Sequence, residues 1–246
     1  MGNNVHAGEQ VINPFSSSII FDIGELEAPF FLIQNQKGSI VLRDEYESAG
    51  YGEVAVGYGK RPAILVIDFQ KSHTSQEYPF GGKPLAVRAL ENTRKLLDVA
   101  RPLSIPVAVC FTAYQSERDM PFWKIKPVRD NYIMPNDAIQ LEDNLVDSSY
   151  DLVIRKTGPS MFYETKVEPF LTKASVDTVI VTGVNTSGCI RATVIDSFQR
   201  GYRTIVPEDC VGDVEEGPHR DNLRDVGRRY ADVVGLESVL AYFKTL

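Results

Sequence analysis

Val179-Ile180-Val181-Thr182-Gly183-Val184-Asn185-Thr186-Ser187-Gly188-Cys189-Ile190-Arg191-Ala192-Thr193 changes character partway along. Val179 to Val181 is a β-branched run bounded by a glycine turn, which fits a buried parallel strand. From Gly188 the spacing turns helical, with Ile190, Val194, Ile195 and Phe198 in one apolar stripe up to a stop at Gly201. Strand, tight turn and helix in succession form the repeating unit of a parallel α/β sheet. Cys189 opens the helix. There a thiol faces unpaired backbone N–H groups and the positive end of the helix dipole, both of which favour thiolate. The same N–H groups can hold the oxyanion formed when sulfur attacks a carbonyl. A lone free cysteine is also commonly a small buried hydrophobe, so Cys189 needs partners before it reads as a nucleophile.

Outward from this unit the alternation continues. Ala63 to Ile67 is an apolar strand ending in Asp68, and Leu85 to Ala100 is helical after Pro84. Pro106 to Phe111 and Tyr150 to Arg155 read as strands, Lys166 to Ala174 as a short helix, Thr204 to Val206 as a strand, and Pro218 to Tyr230 as a helix. Such alternation predicts a Rossmann-like three-layer α/β/α fold around a parallel sheet. Ligands of open α/β sheets bind outside the carboxyl ends of the strands. Asp68, Lys156 and Cys189 pass that test. A charged residue ending a strand is often only a solubilising terminus, but three of them converging on one edge give a chemistry. An ammonium stabilises a thiolate, and a carboxylate accepts the thiol proton and returns it to a leaving amine.

The 246 residues are 43% hydrophobic and 24% charged, with a net charge of −7. That balance argues against a nucleic-acid or anionic-membrane surface and favours a small-molecule substrate. Cys110, Cys189 and Cys210 show no CxxC spacing, so neither a disulfide framework nor a zinc knuckle is indicated. With no secretory leader and no apolar run near the roughly 20 residues of a membrane span, a cytoplasmic protein is expected. Residues 1–60 differ from the remainder: Ile19 to Phe21, Phe30 to Ile33 and Ser39 to Leu42 are β-like, and Asn35 to Gly38 reads as a hairpin turn. Phe30 and Phe31 are costly in water, so this extension is expected to pack on the 61–246 body or on a neighbouring subunit.

Asp68, Lys156 and Cys189, in this order and context, resemble the catalytic triad of the isochorismatase-like cysteine hydrolases. The likeness is to the branch of N-carbamoylsarcosine amidase and maleamate amidohydrolase. Gly183 to Thr193 is similar to that branch's nucleophile segment, Ser75 to Gly82 to its double-glycine loop, and Lys156 to Phe162 to its lysine segment. Glu208 to Asp213, His219, Asn222-Leu223 and Tyr230 to Val233 follow its C-terminal pattern. The resemblance covers about residue 50 to the end. It implies a six-stranded parallel sheet and hydrolysis of a C–N bond in a small amide or N-carbamoyl compound through a thioester-type intermediate. Cys189 would be the nucleophile, Asp68 the general acid/base and Lys156 their ionic partner. A cis peptide between Val184 and Asn185 is implied too, with the backbone N–H groups of Asn185 and Cys189 as the oxyanion hole. Relatives commonly form dimers or tetramers, so a homo-oligomer is expected.

Four departures bear on the substrate. Thr112 to Glu117 lacks the histidine with which many nicotinamidases bind zinc, so no metal and no cofactor are expected. His73 stands where relatives carry an aromatic residue, and reads either as a pocket residue or as a structural histidine. Asn185 replaces a usual threonine. Val214 replaces the arginine common in relatives whose substrates bear a carboxylate. The pocket wall is expected from Phe69, His73, Phe122, Trp123, Lys126, Phe162 and Val184. Phe122 and Trp123 stand as an aromatic lid or as core aromatics beneath a long loop, and Lys126 as an anion partner or a solvated lysine. Two alternative functions share the fold: a vinyl-ether hydrolase of the isochorismatase type, which would release no ammonia or amine, and a catalytically inactive binding protein.

Overall fold

The computed structural model describes residues 11–12, 19–20, 31–34 and 40–246, with side chains from Asp44 onward. The chain divides into two compact units, residues 1–54 and 55–246. In the first, Phe31–Gln34 pairs antiparallel with Ile40–Arg43, and Val11–Ile12 with Ile19–Ile20. One helical turn follows at Glu45–Ser48, where the Asp44 side chain accepts the Glu47 N–H at 3.0 Å as an N-cap. The hairpin tip at 35–38 and the packing of the Phe30 and Phe31 side chains lie outside the described residues.

The second unit is built on strands β1 (Pro62–Ile67), β2 (Val107–Thr112), β3 (Leu152–Lys156), β4 (Thr178–Val184), β5 (Arg203–Pro207), β6 (Val211–Gly212) and β7 (Asp232–Val234). Their order is β7-β5-β4-β1-β2-β3, all pairs parallel, with the short β6 extending the sheet beside the end of β4. The chain runs β1, β2, β3 in one direction and then crosses to β4 on the other side of β1. The order therefore reverses at β1 and β4, which is where such sheets open a crevice. Helices α1 (Lys71–Thr74), α2 (Pro84–Ala100), α3 (Lys126–Asn131), α4 (Val167–Lys173), α5 (Arg191–Gln199), α6 (Glu216–Gly227) and α7 (Leu236–Phe243) complete the unit.

The two sheet faces carry separate cores, because successive side chains of a strand point to opposite faces. Ile64 and Val66 join Leu96, Leu97, Val239 and Phe243 under α2 and α7. Ala63, Leu65 and Ile67 join Leu171, Val194 and Leu223 under α4, α5 and α6. Every residue of β1 and β4 is buried, and each large aliphatic side chain so buried contributes about 1.5–3 kcal/mol. This two-faced burial explains why their sequences are continuous apolar runs and not alternating ones.

Three local expectations differ from the structure. The strand expected at Val179 to Val181 continues to Val184. The helix expected from Gly188 begins as a π turn, Thr186–Ile190, and becomes α-helical at Arg191. The wide turn rotates the face that follows it, so Thr193, Val194 and Ser197 are buried while Phe198, expected in the apolar stripe, is 46% exposed. The buried hydroxyls are satisfied: Thr193 accepts the Met161 N–H at 3.1 Å, and Ser197 lies 2.8 Å from the Thr204 hydroxyl. Residues 55–60, read as part of the extension, fasten to the body through Asp232, which accepts from the Val56 and Gly57 N–H groups, and through Thr178 and Asp177. Among the described residues no helix is long and apolar enough to cross a membrane.

Candidate active site

Asp68 is the first residue beyond β1, and its φ of 52° lies in the left-handed region, which asparagine and aspartate tolerate better than most residues. That turn in the backbone directs the carboxylate along the carboxyl edge of the sheet. Lys156 closes β3, two strands away across β2. At about 4.8 Å between strands the gap is roughly 10 Å, so a long basic side chain and a short acidic one are needed to close it. They meet with Lys156 Nζ 2.8 Å from Asp68 Oδ2, both side chains almost fully buried. The β2 residue beneath them is Thr112, in register with Lys156. Its hydroxyl accepts from Lys156 Nζ at 2.7 Å and lies 3.3 Å from Asp68 Oδ1, to which it donates. Gln70, fully buried, holds Thr112 in place by accepting its N–H at 2.9 Å and donating to its carbonyl at 3.0 Å.

Cys189 reaches this pair from β4. Gly183, with φ of +121°, lies against β1 so closely that a Cβ there would overlap the Ile67 carbonyl. Only glycine lets β4 end this near the root of Asp68. The Val184–Asn185 peptide beyond it is cis, as the resemblance implied. The π turn then folds onto Asn185, whose carbonyl accepts the N–H groups of Gly188 at 2.9 Å and Ile190 at 3.2 Å. The Ser187 N–H goes to the buried Asp213 at 2.7 Å. Thr186 donates its hydroxyl proton to the Gly212 carbonyl at 3.0 Å, so the 2.8 Å contact with His219 Nδ1 must be donated by the imidazole. So anchored, Cys189 Sγ lies 3.4 Å from Lys156 Nζ.

Burial works against the charge on Lys156, but Asp68 and Cys189 beside it hold its pKa above the ordinary lysine value, so it is an ammonium. Burial also pushes the Cys189 thiol up; Lys156 pulls it down and Asp68 adds to the rise. The resting sulfur is therefore a thiol, where the helix terminus alone led us to expect a thiolate. The reason is that Asp68 already neutralises Lys156, leaving little field to support a further anion. Moving the thiol proton to Asp68 frees Lys156 to pair with sulfur, at no change in the net charge of the site.

The expected pocket wall is largely redistributed. Phe69 and Val184 are fully buried in the core beneath α2 and α7. Phe162 belongs to the opposite core, with Tyr202 stacked on it and the Arg200 guanidinium over its ring. Lys126 is exposed and paired with Asp130. Phe122 is fully exposed and forms no wall within this chain. His73 and Trp123 join an aromatic cluster with Phe80, Tyr114 and Tyr132 on the segments after β1 and β2. Trp123 Nε1 donates to the Tyr114 hydroxyl at 2.6 Å, which donates to the Thr157 carbonyl at 2.9 Å, beside Lys156. Thr112, Tyr114 and Gln70 were missed from the sequence, although Thr112 and Tyr114 sit at a strand's carboxyl end and the rule that selected Asp68 applies to them equally. Nothing local marks Tyr132. Among the described residues no three His, Cys, Asp or Glu side chains gather as a metal-ligand set.

Comparison with known proteins gives the family. The chain is 34% identical over 207 residues to maleamate amidohydrolase of Pseudomonas putida, covering 83% of this chain and 96% of that protein. It is 32% identical over 197 residues to N-carbamoylsarcosine amidase of an Arthrobacter species, covering 78% of this chain and 74% of that one. Among solved structures, a cysteine hydrolase from Pseudomonas syringae superposes with a TM-score of 0.70 at 21% identity, over 75% of this chain and 93% of the other. The isochorismatase domain model matches residues 62–238, from the first strand of the sheet through its last, and on that match the chain belongs to the isochorismatase family of hydrolases.

Proposed function

We propose that this hydrolase is a metal-independent cysteine amidohydrolase that cleaves a C–N bond of a small amide or N-carbamoyl compound. The observation that carries the reading is the contact of Lys156 Nζ with Asp68 at 2.8 Å and with Cys189 Sγ at 3.4 Å. The names of the relatives, maleamate amidohydrolase and N-carbamoylsarcosine amidase, point to the same bond.

In this reading Asp68 takes the thiol proton as sulfur adds to the carbonyl carbon, and Lys156 stabilises the sulfur anion in passage. The oxyanion is held by the N–H groups of Asn185 and Cys189. When the intermediate collapses, the C–N bond breaks and Asp68 protonates the departing nitrogen, which leaves as ammonia or amine. A thioester remains. Water adds to it, giving its proton to Asp68; the C–S bond breaks, the acid departs, and the proton returns to Cys189. Asp68 thus serves in both halves of the cycle.

The test is ammonia release from a panel of amides, ureido acids and carbamoyl compounds, with C189A as the blank. Release that is lost in C189A, and a covalent adduct on Cys189 seen by mass spectrometry at short times, are expected. Substantial turnover by C189A would overturn the mechanism.

A further inference from the structure

The ammonium of Lys156 is surrounded by four acceptors. Nζ lies 2.7 Å from Thr112 Oγ1, 2.8 Å from Asp68 Oδ2, 3.2 Å from the Gly158 carbonyl oxygen and 3.4 Å from Cys189 Sγ. An ammonium has three N–H bonds to give. The three nearer contacts use them, so the sulfur has no N–H of its own at rest.

Two of the four acceptors are fixed. Gly158 follows Lys156 by two residues. Thr112 is in register with Lys156 on β2, and buried Gln70 clamps its backbone, accepting the N–H at 2.9 Å and donating to the carbonyl at 3.0 Å. Thr112 is only 4% exposed, out of reach of a substrate. Its own proton faces Asp68, the oxygen lying 3.3 Å from Oδ1 and 3.4 Å from Oδ2. A threonine kept only to end a strand needs one partner for its hydroxyl; this one joins two ions. The other two acceptors change in the proposed cycle, because Asp68 and Cys189 exchange a proton. At rest Asp68 is the anion and holds the third N–H of Lys156. Once the S–H bond has broken and the proton sits on Asp68, the sulfur is the anion and the same N–H turns to it.

Resting on the amidohydrolase reading, which makes Cys189 the nucleophile, we infer that Thr112 is a positioning residue that leaves Lys156 a single N–H to divide between Asp68 and Cys189. Thiolate formation is thereby coupled to protonation of Asp68. Without the hydroxyl, Lys156 has an N–H for each, and the sulfur ionises while Asp68 is still charged. The other titratable side chains acting on the sulfur stay neutral, since burial raises the Cys110 thiol on β2 and the Tyr114 and Tyr132 phenols that follow it. Asp213 lies against the same turn, but its two oxygens accept the Ser187 and Val214 N–H groups.

The experiment is the rate of iodoacetamide alkylation of Cys189 from about pH 7 to pH 9, assigned by mass spectrometry, in wild type, T112V, T112S, D68N and the D68N/T112V double variant. T112V removes the hydroxyl at nearly constant volume and leaves the backbone bonds to Gln70; T112S returns the hydroxyl. T112V should be alkylated about three- to tenfold faster, its rate curve lying about half a unit to one unit lower in pH, the worth of one added hydrogen bond to the sulfur. T112S should follow the wild type. In D68N no carboxylate holds the third N–H, so adding T112V there should change the rate by less than about twofold. If T112V does not fold, T112A removes the same hydroxyl. An unchanged rate in T112V, a rise that T112S shares, a rise that adds in full to that of D68N, or one accompanied by alkylation of buried Cys110 would overturn the inference and leave the amidohydrolase reading intact. Ammonia release that persists in C189A would overturn both.

Discussion

Asp68, Lys156 and Cys189 hang from the ends of β1, β3 and β4, whereas His73, Phe80, Trp123 and Tyr132 come from the segments that follow β1 and β2. The first group is positioned by strand register: Ile67 pairs with Gly183 and Thr112 with Lys156, so the spacing of the sheet sets the distances. The second group is positioned by side chains holding one another, as in Trp123 to Tyr114 and His73 to Tyr132. The charged centre is closed electrically, each ion having its counterion. The aromatic rim is neutral and leaves one nitrogen, His73 Nδ1, unused. In the proposed mechanism the chemistry is thus fixed to the sheet, and the loops around it can change without disturbing it.

The comparison breaks most sharply at Cys189. C189A removes the proposed nucleophile without disturbing the Asp68–Lys156 pair, so ammonia release should fall by at least about a thousandfold while the urea midpoint holds. K156A should act on the fold as well. It leaves Asp68 as an uncompensated buried charge, a loss of about 3–5 kcal/mol that urea denaturation would show.

D68N separates the two roles of the carboxylate. Turnover should drop by about a hundredfold or more, the usual worth of a general acid/base. Because Asp68 raises the Cys189 pKa and Lys156 lowers it, iodoacetamide should label Cys189 faster at pH 7 in D68N than in the wild type. Slower labelling would contradict the resting thiol. Cys110 and Cys210 are fully buried, so mass spectrometry can assign the modified residue.

The rim has its own signature in pH. His73 is held near pKa 4 in the folded chain against 6.5 unfolded, so below pH 6.5 the unfolded chain takes up the proton first. The stabilisation is complete above pH 6.5 and is lost as pH falls toward 4. Between pH 7 and pH 5 this amounts to about 2 kcal/mol, and H73F should reduce the fall in urea midpoint accordingly. His219, also held below its ordinary value by burial, leaves a remainder of the same sign. The smallest effect is expected at Phe122. Its side chain is wholly in solvent, so F122S should leave both the urea midpoint and ammonia release unchanged. A marked loss of activity would show that Phe122 covers the site after all.

The sequence by itself determined the sheet and the residues on its carboxyl edge. Continuous apolar runs at Ala63 to Ile67 and Val179 to Val181 mark strands buried on both faces, and the topology of parallel sheets brings their ends to one side. Asp68, Lys156 and Cys189 were legible for that reason, since each adjoins a run whose pattern is read locally. Only the tertiary structure decided which aromatic residues face the triad. Phe69 and Phe162 adjoin catalytic segments in sequence, yet they turn into the two cores, because neighbours along a strand or tight turn point to opposite sides. Tyr132 is distant in sequence from every triad member, and its hydrogen bonds to Ser72 and His73 exist only in the folded chain. The direction of the thiol's pKa likewise depends on three dimensions, burial and Asp68 raising it and Lys156 lowering it. A helix terminus favours thiolate, but a lysine already paired to aspartate in a buried site has little field left to hold one, and that balance depends on distances no local pattern contains.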